Sequence, residues 1–288
     1  MRKSTRVNLQ ASKILASSIS MRGTGKDRRG MGMTGVLGAA WLPRLFAPLA
    51  LLLLLVTTTA CTPEESIVAA ALEHADRPSE DATDDAARKP QEVLEFAGLQ
   101  AGMDVFEMEA GGGYYTEIIA RAVGPEGSVV MQNPPSFDSF VGDAPATRSA
   151  RLSNIRVSST NFDALDASDG SMDMVTWILG PHELWFMPGG NVNLGDPETT
   201  FQEIARILKP GGVFLAVDHH AAADSGPEVG GTLHRIREDL IQELAEGAGL
   251  TVLRSSAMHE NAEDPLNIGV FDESIRRATS RFVVLYSK

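Results

Sequence analysis

The chain runs to 288 residues with 43% apolar content, enough for one sizeable domain with a true core. Its formal charge of −13 is unevenly spread: residues 1–60 hold nine Lys/Arg and one acid, leaving sixteen basic and thirty-seven acidic residues from Cys61 onward. A region that acidic repels nucleic-acid phosphates, which excludes DNA or RNA as partners, and a single cysteine, Cys61, excludes an intrachain disulfide or a cysteine-based zinc site.

In chain order, the first feature is the apolar run 45–56. Its dozen or so residues are too short to cross about 30 Å of hydrocarbon as a helix, but they suit the core of a signal peptide. Basic residues precede it, and Thr57, Thr58, Thr59 and Ala60 lead into Cys61. That order resembles the signal of bacterial lipoproteins, whose cysteine is acylated and becomes the new N-terminus. Thr58 departs from the aliphatic residue usual there, and a plain signal peptide or N-terminal anchor is the alternative. Met31 or Met33, as the true start, gives a signal of ordinary length. Residues 1–60 are therefore expected to be an export signal. The mature protein is expected to be membrane-anchored at Cys61 and to face the periplasm. Thr62 after the cysteine, in place of Asp, favours the outer membrane.

Residues 61–89, rich in acid and alanine, read as a tether and lead-in with a short helix over 66–74, and residues 90–288 as the domain proper. Pro90 suits the first turn of a helix with Val93, Leu94 and Ala97 on its apolar face. A strand follows at 104–108, then a helix at 115–123 and strands at 128–132, 155–158 and 172–179. A helix at 199–208 stops at Lys209-Pro210-Gly211-Gly212. The remaining elements are a strand at 213–218, a helix at 236–247, and strands at 250–255 and 282–286. This alternation predicts an α/β fold with helices on both faces of a mostly parallel sheet.

Gly111-Gly112-Gly113 lies between a strand and a helix, where residues lacking a β-carbon let the backbone and the helix N-terminal amides approach a ligand. Alone, the feature also fits dinucleotide enzymes or close packing. It is preceded by Val105-Phe106-Glu107-Met108-Glu109-Ala110, with an acid at the strand end. Asn133 ends the second strand about twenty residues later. Gly170-Ser171-Met172-Asp173-Met174-Val175 enters the fourth strand, and Ala205-Arg206-Ile207-Leu208-Lys209-Pro210-Gly211-Gly212-Val213 precedes the fifth. In this order the segments resemble the motifs of class I S-adenosylmethionine-dependent methyltransferases, over about residues 77–288. Runs at 111–117, 217–219, 233–236 and 270–283 are similar to a little-studied bacterial subgroup of predicted exported or lipoprotein methyltransferases.

The resemblance implies a Rossmann-like, seven-stranded, mostly parallel sheet whose last strand is antiparallel, with S-adenosyl-L-methionine as cofactor. Carried over, Glu107 meets the ammonium of the methionine moiety, and Gly111, Gly112 and Gly113 line the cofactor. Asn133 stands where an acid usually grips the ribose, and Asn161 or Asp163 falls near the adenine. Two residues depart from the pattern. Glu109 replaces the first motif glycine, putting an anion beside the pocket, and the neutral Asn133 is a weaker acceptor by roughly 1 kcal/mol. Export also removes the domain from the compartment where the cofactor is made. The enzymatic reading requires that the Glu109 side chain leave the glycine hollow open.

Methyl transfer needs an aligned nucleophile and, for many acceptors, a base. His219 is the first choice for that base and His182 the second, each set against a purely structural histidine. Asp218, His219, His220, His234 and His182 also carry donor atoms, but their spacing matches no metal-ligand signature and no metal is expected. With no amide-methylating motif of the Asp-Pro-Pro-Tyr type, the expected acceptor is a small or lipid-like molecule of the envelope. The rival is a non-catalytic binding or scaffold module on the same fold.

Overall fold

The computed structural model describes residues 66–288, all within the compact unit Cys61–Lys288. The 45–56 run and Cys61 lie outside the described residues. The acid-rich lead-in is built into the domain from Ser66 on. Helix α1 (Ile67–Leu72) is capped by Ser66 Oγ, and α2 (Asp85–Arg88) leads into α3 (Pro90–Ala97). Val68 and Ala71 of α1 join Val93, Leu94 and Ala97 of α3 in one buried apolar cluster. Two apolar positions one helical turn apart thus decide the segment's fate, although its composition reads as a solvated tether.

The alternating region contains β1 (Asp104–Met108), α4 (Tyr114–Val123), β2 (Ser128–Asn133), α5 (Asp138–Val141), α6 (Ala144–Arg151), β3 (Ile155–Ser159) and β4 (Met172–Ile178). It continues with α7 (Pro197–Ile207), β5 (Leu208–His219), α8 (Val229–Leu233), α9 (Glu238–Gly247), β6 (Thr251–Ser256) and β7 (Arg281–Ser287). The seven strands form one sheet in the order β3-β2-β1-β4-β5-β7-β6. Strands β1 to β5 pair in parallel, and β7 runs antiparallel to both β5 and β6. This is the Rossmann-like, seven-stranded arrangement expected from the motifs, with helices around it.

Successive strand residues face opposite sides, so each buried strand feeds two cores. Phe106, Met108, Val175, Trp177, Phe214 and Ala216 pack under α7 and α9 with Phe201, Ile204, Ile241 and Ala245. Val105, Val129, Met131, Met174, Leu215 and Val217 pack under α1, α3 and α4 with Val68, Leu94, Ile118 and Ile119.

Two boundaries differ from expectation because of pairings made elsewhere in the fold. Strand β5 begins at Leu208, which pairs with Met172, before the chain bulges through 209–212 and re-enters at Val213 opposite Met174. Gly211, at φ +80°, makes that bulge, and Lys288 N donates to Gly212 O at 3.0 Å. Helix α9 begins two residues late because Ile236 N donates to His219 O at 2.9 Å, bridging to β5. Next to it the fully buried Arg235 forms a two-pronged pair with Asp264, at 2.9 and 3.0 Å, and donates to Ile268 O and His220 O, both at 2.8 Å. Asp264 also accepts from Ser280 N at 2.7 Å, so one ion pair organises the irregular segment between β6 and β7.

The strand order reverses between β1 and β4. In open α/β sheets the crevice beyond the carboxyl ends of the strands at such a point is where ligands bind. Among the described residues, no helix is long and apolar enough to cross a membrane.

Candidate active site

That crevice is a cavity of about 770 Å³, within the usual range for small-molecule sites. Its floor is the turn from β1 into α4. Glu109 and Gly111 stand in the left-handed region at φ +51° and +56°, and Gly113 at +85°. Two β2 side chains hold the turn from beneath. Gln132 Oε1 accepts from Glu109 N at 2.9 Å, while Asn133 Oδ1 accepts from Gly111 N at 2.8 Å. A β-carbon on Gly113 would lie 2.9 Å from Met131 Cε and 3.0 Å from Arg148 Cγ, and the backbone at φ +85° strains any other residue there. Arg148 reaches over from α6, donating to Gly112 O at 3.1 Å and pairing with Asp81 at 2.7 Å and Glu117 at 3.2 Å. It thereby fastens the lead-in to the glycine turn.

Glu107, at the end of β1, lines the cavity and is 4% exposed. Burial pushes its carboxyl up to about 8, against the opposing effect of the Thr116 hydroxyl that donates to it. Glu109 turns away from the glycine hollow toward β4, where its Oε2 accepts from Trp177 Nε1 at 3.0 Å. The contact depends on Gly180, whose β-carbon would sit 2.2 Å from that oxygen. Burial and then the charge of Glu183 raise the Glu109 carboxyl well above its ordinary range.

The opposite wall comes from the ends of β4 and β5. A 3-10 turn, Pro181–Trp185, presents His182 and Glu183. His182 N donates to Asp218 Oδ2 at 2.7 Å, and His182 Nδ1 lies 2.9 and 3.0 Å from the two Asp218 oxygens. Burial alone would lower the His182 pKa; the carboxylates of Asp218 and Glu183 override it and raise the value to about 10. His219 lies in the same cavity, its Nδ1 2.7 Å from Thr279 Oγ1. Burial, reinforced by the Arg281 charge, holds it well below its ordinary pKa. His219 is therefore neutral at pH 7 and able to accept a proton, whereas His182 is held cationic by its carboxylates.

Of the residues singled out from sequence, Glu107, Gly111, Gly112, His182 and His219 line one cavity. Gly113 sits behind it as a packing residue. Asn133 has both ends of its amide engaged with Gly111, its Nδ2 donating to Gly111 O at 3.2 Å. Asp163 is outside the cavity, its Oδ2 accepting from Asp196 N at 3.0 Å. Sequence reasoning missed Gln132 and Arg148, and it named His234 only as one of five donor-bearing residues, without placing it in the cavity that it lines. Gln132 and Arg148 sit in unremarkable strand and helix stretches and act only through tertiary contacts. His234 follows Gly230-Gly231, and that pair is a readable sign of close packing.

A family model described as a methyltransferase domain matches residues 107–216. The ubiquinone/menaquinone biosynthesis C-methyltransferases of Hydrogenovibrio crunogenus and Hahella chejuensis are each 28% identical over 126 residues, 44% of this chain. The chain spans about half the length of these relatives, 46% and 47%. Among solved structures, a SAM-dependent methyltransferase from Aquifex aeolicus aligns with a TM-score of 0.51 and 22% identity, over 73% of this chain and 97% of that one. Geranyl diphosphate C-methyltransferase from Streptomyces coelicolor A3(2) gives 0.53 and 13%, over 76% and 84%. The [4+2]-cyclase SpnF gives 0.52 and 18%, over 75% and 84%. Residues 107–216 are thus similar to a methyltransferase domain, and the seven-stranded, Rossmann-like sheet is the fold that the chain shares with these solved structures.

Proposed function

We propose that the protein is an S-adenosylmethionine-dependent methyltransferase, with the cofactor over the 111–113 turn and its ammonium on Glu107. The observation that carries this reading is the buried Glu107 carboxyl facing a cavity at the strand-order reversal, beside a turn whose glycines keep the backbone bare. When bound, S-adenosylmethionine supplies an electrophilic methyl group. Glu107 supplies the anion that fixes the ammonium, the turn lets the backbone approach, and the neutral His219 takes the acceptor's proton.

An acceptor that is small and largely apolar suits the rest of the wall. Phe137 and Phe186 line the cavity, with the exposed Phe140 and Phe271 at its rim. The relatives named for C-methylation in ubiquinone/menaquinone biosynthesis support the same class. We further propose that the protein is an envelope lipoprotein held through Cys61, a reading supported by the order of basic residues, apolar run and lone cysteine. Mass spectrometry of the mature N-terminus tests it: an acylated Cys61 is expected, and an unmodified one in the membrane fraction would refute it.

Calorimetry with S-adenosylmethionine and S-adenosylhomocysteine tests the enzyme. Micromolar binding is expected, lost in Glu107→Ala. A folded protein that takes up neither molecule would establish the second reading, a non-catalytic binding module of the envelope. Asn133 favours that reading, because its amide is turned to Gly111 and the residue is not among those that line the cavity.

A further inference from the structure

We propose that His182 Nε2, His234 Nδ1 and Glu183 Oε1 form a binding site for one divalent transition-metal ion, zinc in the first instance, on the wall of the cavity. The three atoms stand 3.1, 3.2 and 3.4 Å from one another. Zinc bonds to nitrogen and oxygen of about 2.0–2.2 Å in a tetrahedron require donor separations of about 3.3–3.6 Å. The triangle therefore comes within about 0.2 Å of one face of a four-coordinate site, a gap that small side-chain shifts close. The fourth corner is left for water or for a hydroxyl or thiol entering from the cavity that all three residues line.

The surroundings are those of a metal-binding imidazole. Asp218, fully buried, accepts from His182 Nδ1, which keeps one proton there, so that a metal ion displacing the other proton of the cationic ring would be held through Nε2, the atom that faces Glu183 and His234. A carboxylate behind a histidine ligand is the usual outer-shell partner of a bound metal. Asp218 is itself held by two backbone amides, His182 N and His219 N, both at 2.7 Å. Independently, Glu183 Oε2 is buried with no hydrogen-bond partner, an arrangement that a metal ion or its water would satisfy. Two nitrogens and one oxygen suit zinc or a neighbouring first-row ion, whereas magnesium and calcium prefer all-oxygen shells.

The fold brings the donors together by a specific device. A β-carbon on Gly230 would lie 2.6 Å from His182 O, and one on Gly231 would lie 2.5 Å from Trp185 O. Bare backbone there lets α8 lie directly against the 3-10 turn. The chain then leaves α8 through His234 in the left-handed region at φ +55°, which delivers its ring to His182. None of the three donors is Glu107 or belongs to the glycine turn, so the metal site stands or falls separately from cofactor binding.

The test uses the full-length chain purified without a metal-affinity tag, dialysed, and measured by elemental analysis; the chelator-stripped protein is then titrated with Co(II) and Zn(II). One equivalent of metal per chain and the visible d–d bands of four-coordinate Co(II) are expected. His234→Ala and Glu183→Gln should each weaken Zn(II) binding a hundredfold or more. Asp218→Asn should weaken it about ten- to a hundredfold, in line with outer-shell losses at known sites. Circular dichroism confirms that each variant is folded. A folded wild-type chain that holds no stoichiometric metal and leaves Co(II) with its aqueous spectrum would overturn the proposal, leaving these contacts as hydrogen bonds around a protonated His182. That result is readable on the wild type alone, and it leaves the calorimetric test of S-adenosylmethionine untouched.

Discussion

Glu107 ties cofactor recognition to pH. Its carboxyl, raised to about 8 by burial, is neutral at pH 6 and ionised at pH 9, and only the ionised form pairs with an ammonium. Affinity for S-adenosylmethionine should therefore climb between pH 6 and 8, by up to about tenfold per unit, and level off above. Calorimetry across that range checks this, and Glu107→Gln should flatten the curve. The same shift acts on stability with a definite sign. A folded-state value above the ordinary 4.5 gives a contribution that is full below about 4.5 and lost as pH rises through about 8. Glu107→Gln should thus gain on the order of 1–3 kcal/mol over wild type at pH 9 and nothing at pH 4, as read from urea unfolding. Glu109 carries two burdens, a left-handed backbone at φ +51° and a buried acid, against one hydrogen bond from Trp177. Glu109→Gly should stabilise the domain by about 1 kcal/mol at pH 8, since the left-handed penalty of roughly 1–2 kcal/mol and the desolvated carboxyl together outweigh a bond worth about 1 kcal/mol. A lower unfolding midpoint in urea would show that the Trp177 contact dominates.

Individual elements were largely legible because their signals are local. Strand β1 falls where its apolar run and flanking glycines put it, and β2 to β4 differ from expectation by single residues, since apolar runs between turn residues mark buried strands. The early start of β5 was not readable, because the bulge at 209–212 exists only through pairing with Met172 and Lys288, far away in sequence. The site divides in the same way. Glu107 and the glycines announce themselves within nine residues, whereas His234 reaches His182 only through the contact of α8 with the 3-10 turn. That contact is itself open to test. Gly230→Ala should push α8 away from His182 O, destabilise the domain by about 1–3 kcal/mol as overpacking does, and weaken metal uptake. Thermal melts and Co(II) titration read the two effects separately, and an Ala variant with wild-type melting would deny the close approach its role.

For the molecule as a whole, the buried Arg235–Asp264 pair is the point on which the segment between β6 and β7 depends. Arg235→Ala leaves a buried carboxylate without its partner and should cost about 3–5 kcal/mol, while replacing both residues by apolar ones of similar size should cost much less. Chemical denaturation of the two variants decides between these outcomes. The general plan, a two-faced α/β domain, was visible in the alternation of apolar runs and turns. Of the structured lead-in only the short helix over 66–74 was visible; its packing onto the domain was not, because the charge of the segment outweighs its two apolar anchors in a reading by composition. The order of strands has a further implication for how the molecule is made. Strand β7, with Phe282, Val283, Val284, Leu285 and Tyr286 all buried, slots between β5 and β6, which both precede it in the chain. A growing polypeptide that has emerged only as far as β6 leaves a gap in its sheet and cannot close either core, so it remains pliable until β7 emerges. On the export route proposed above, such a delay would keep the chain threadable through a secretion channel until β7 has arrived.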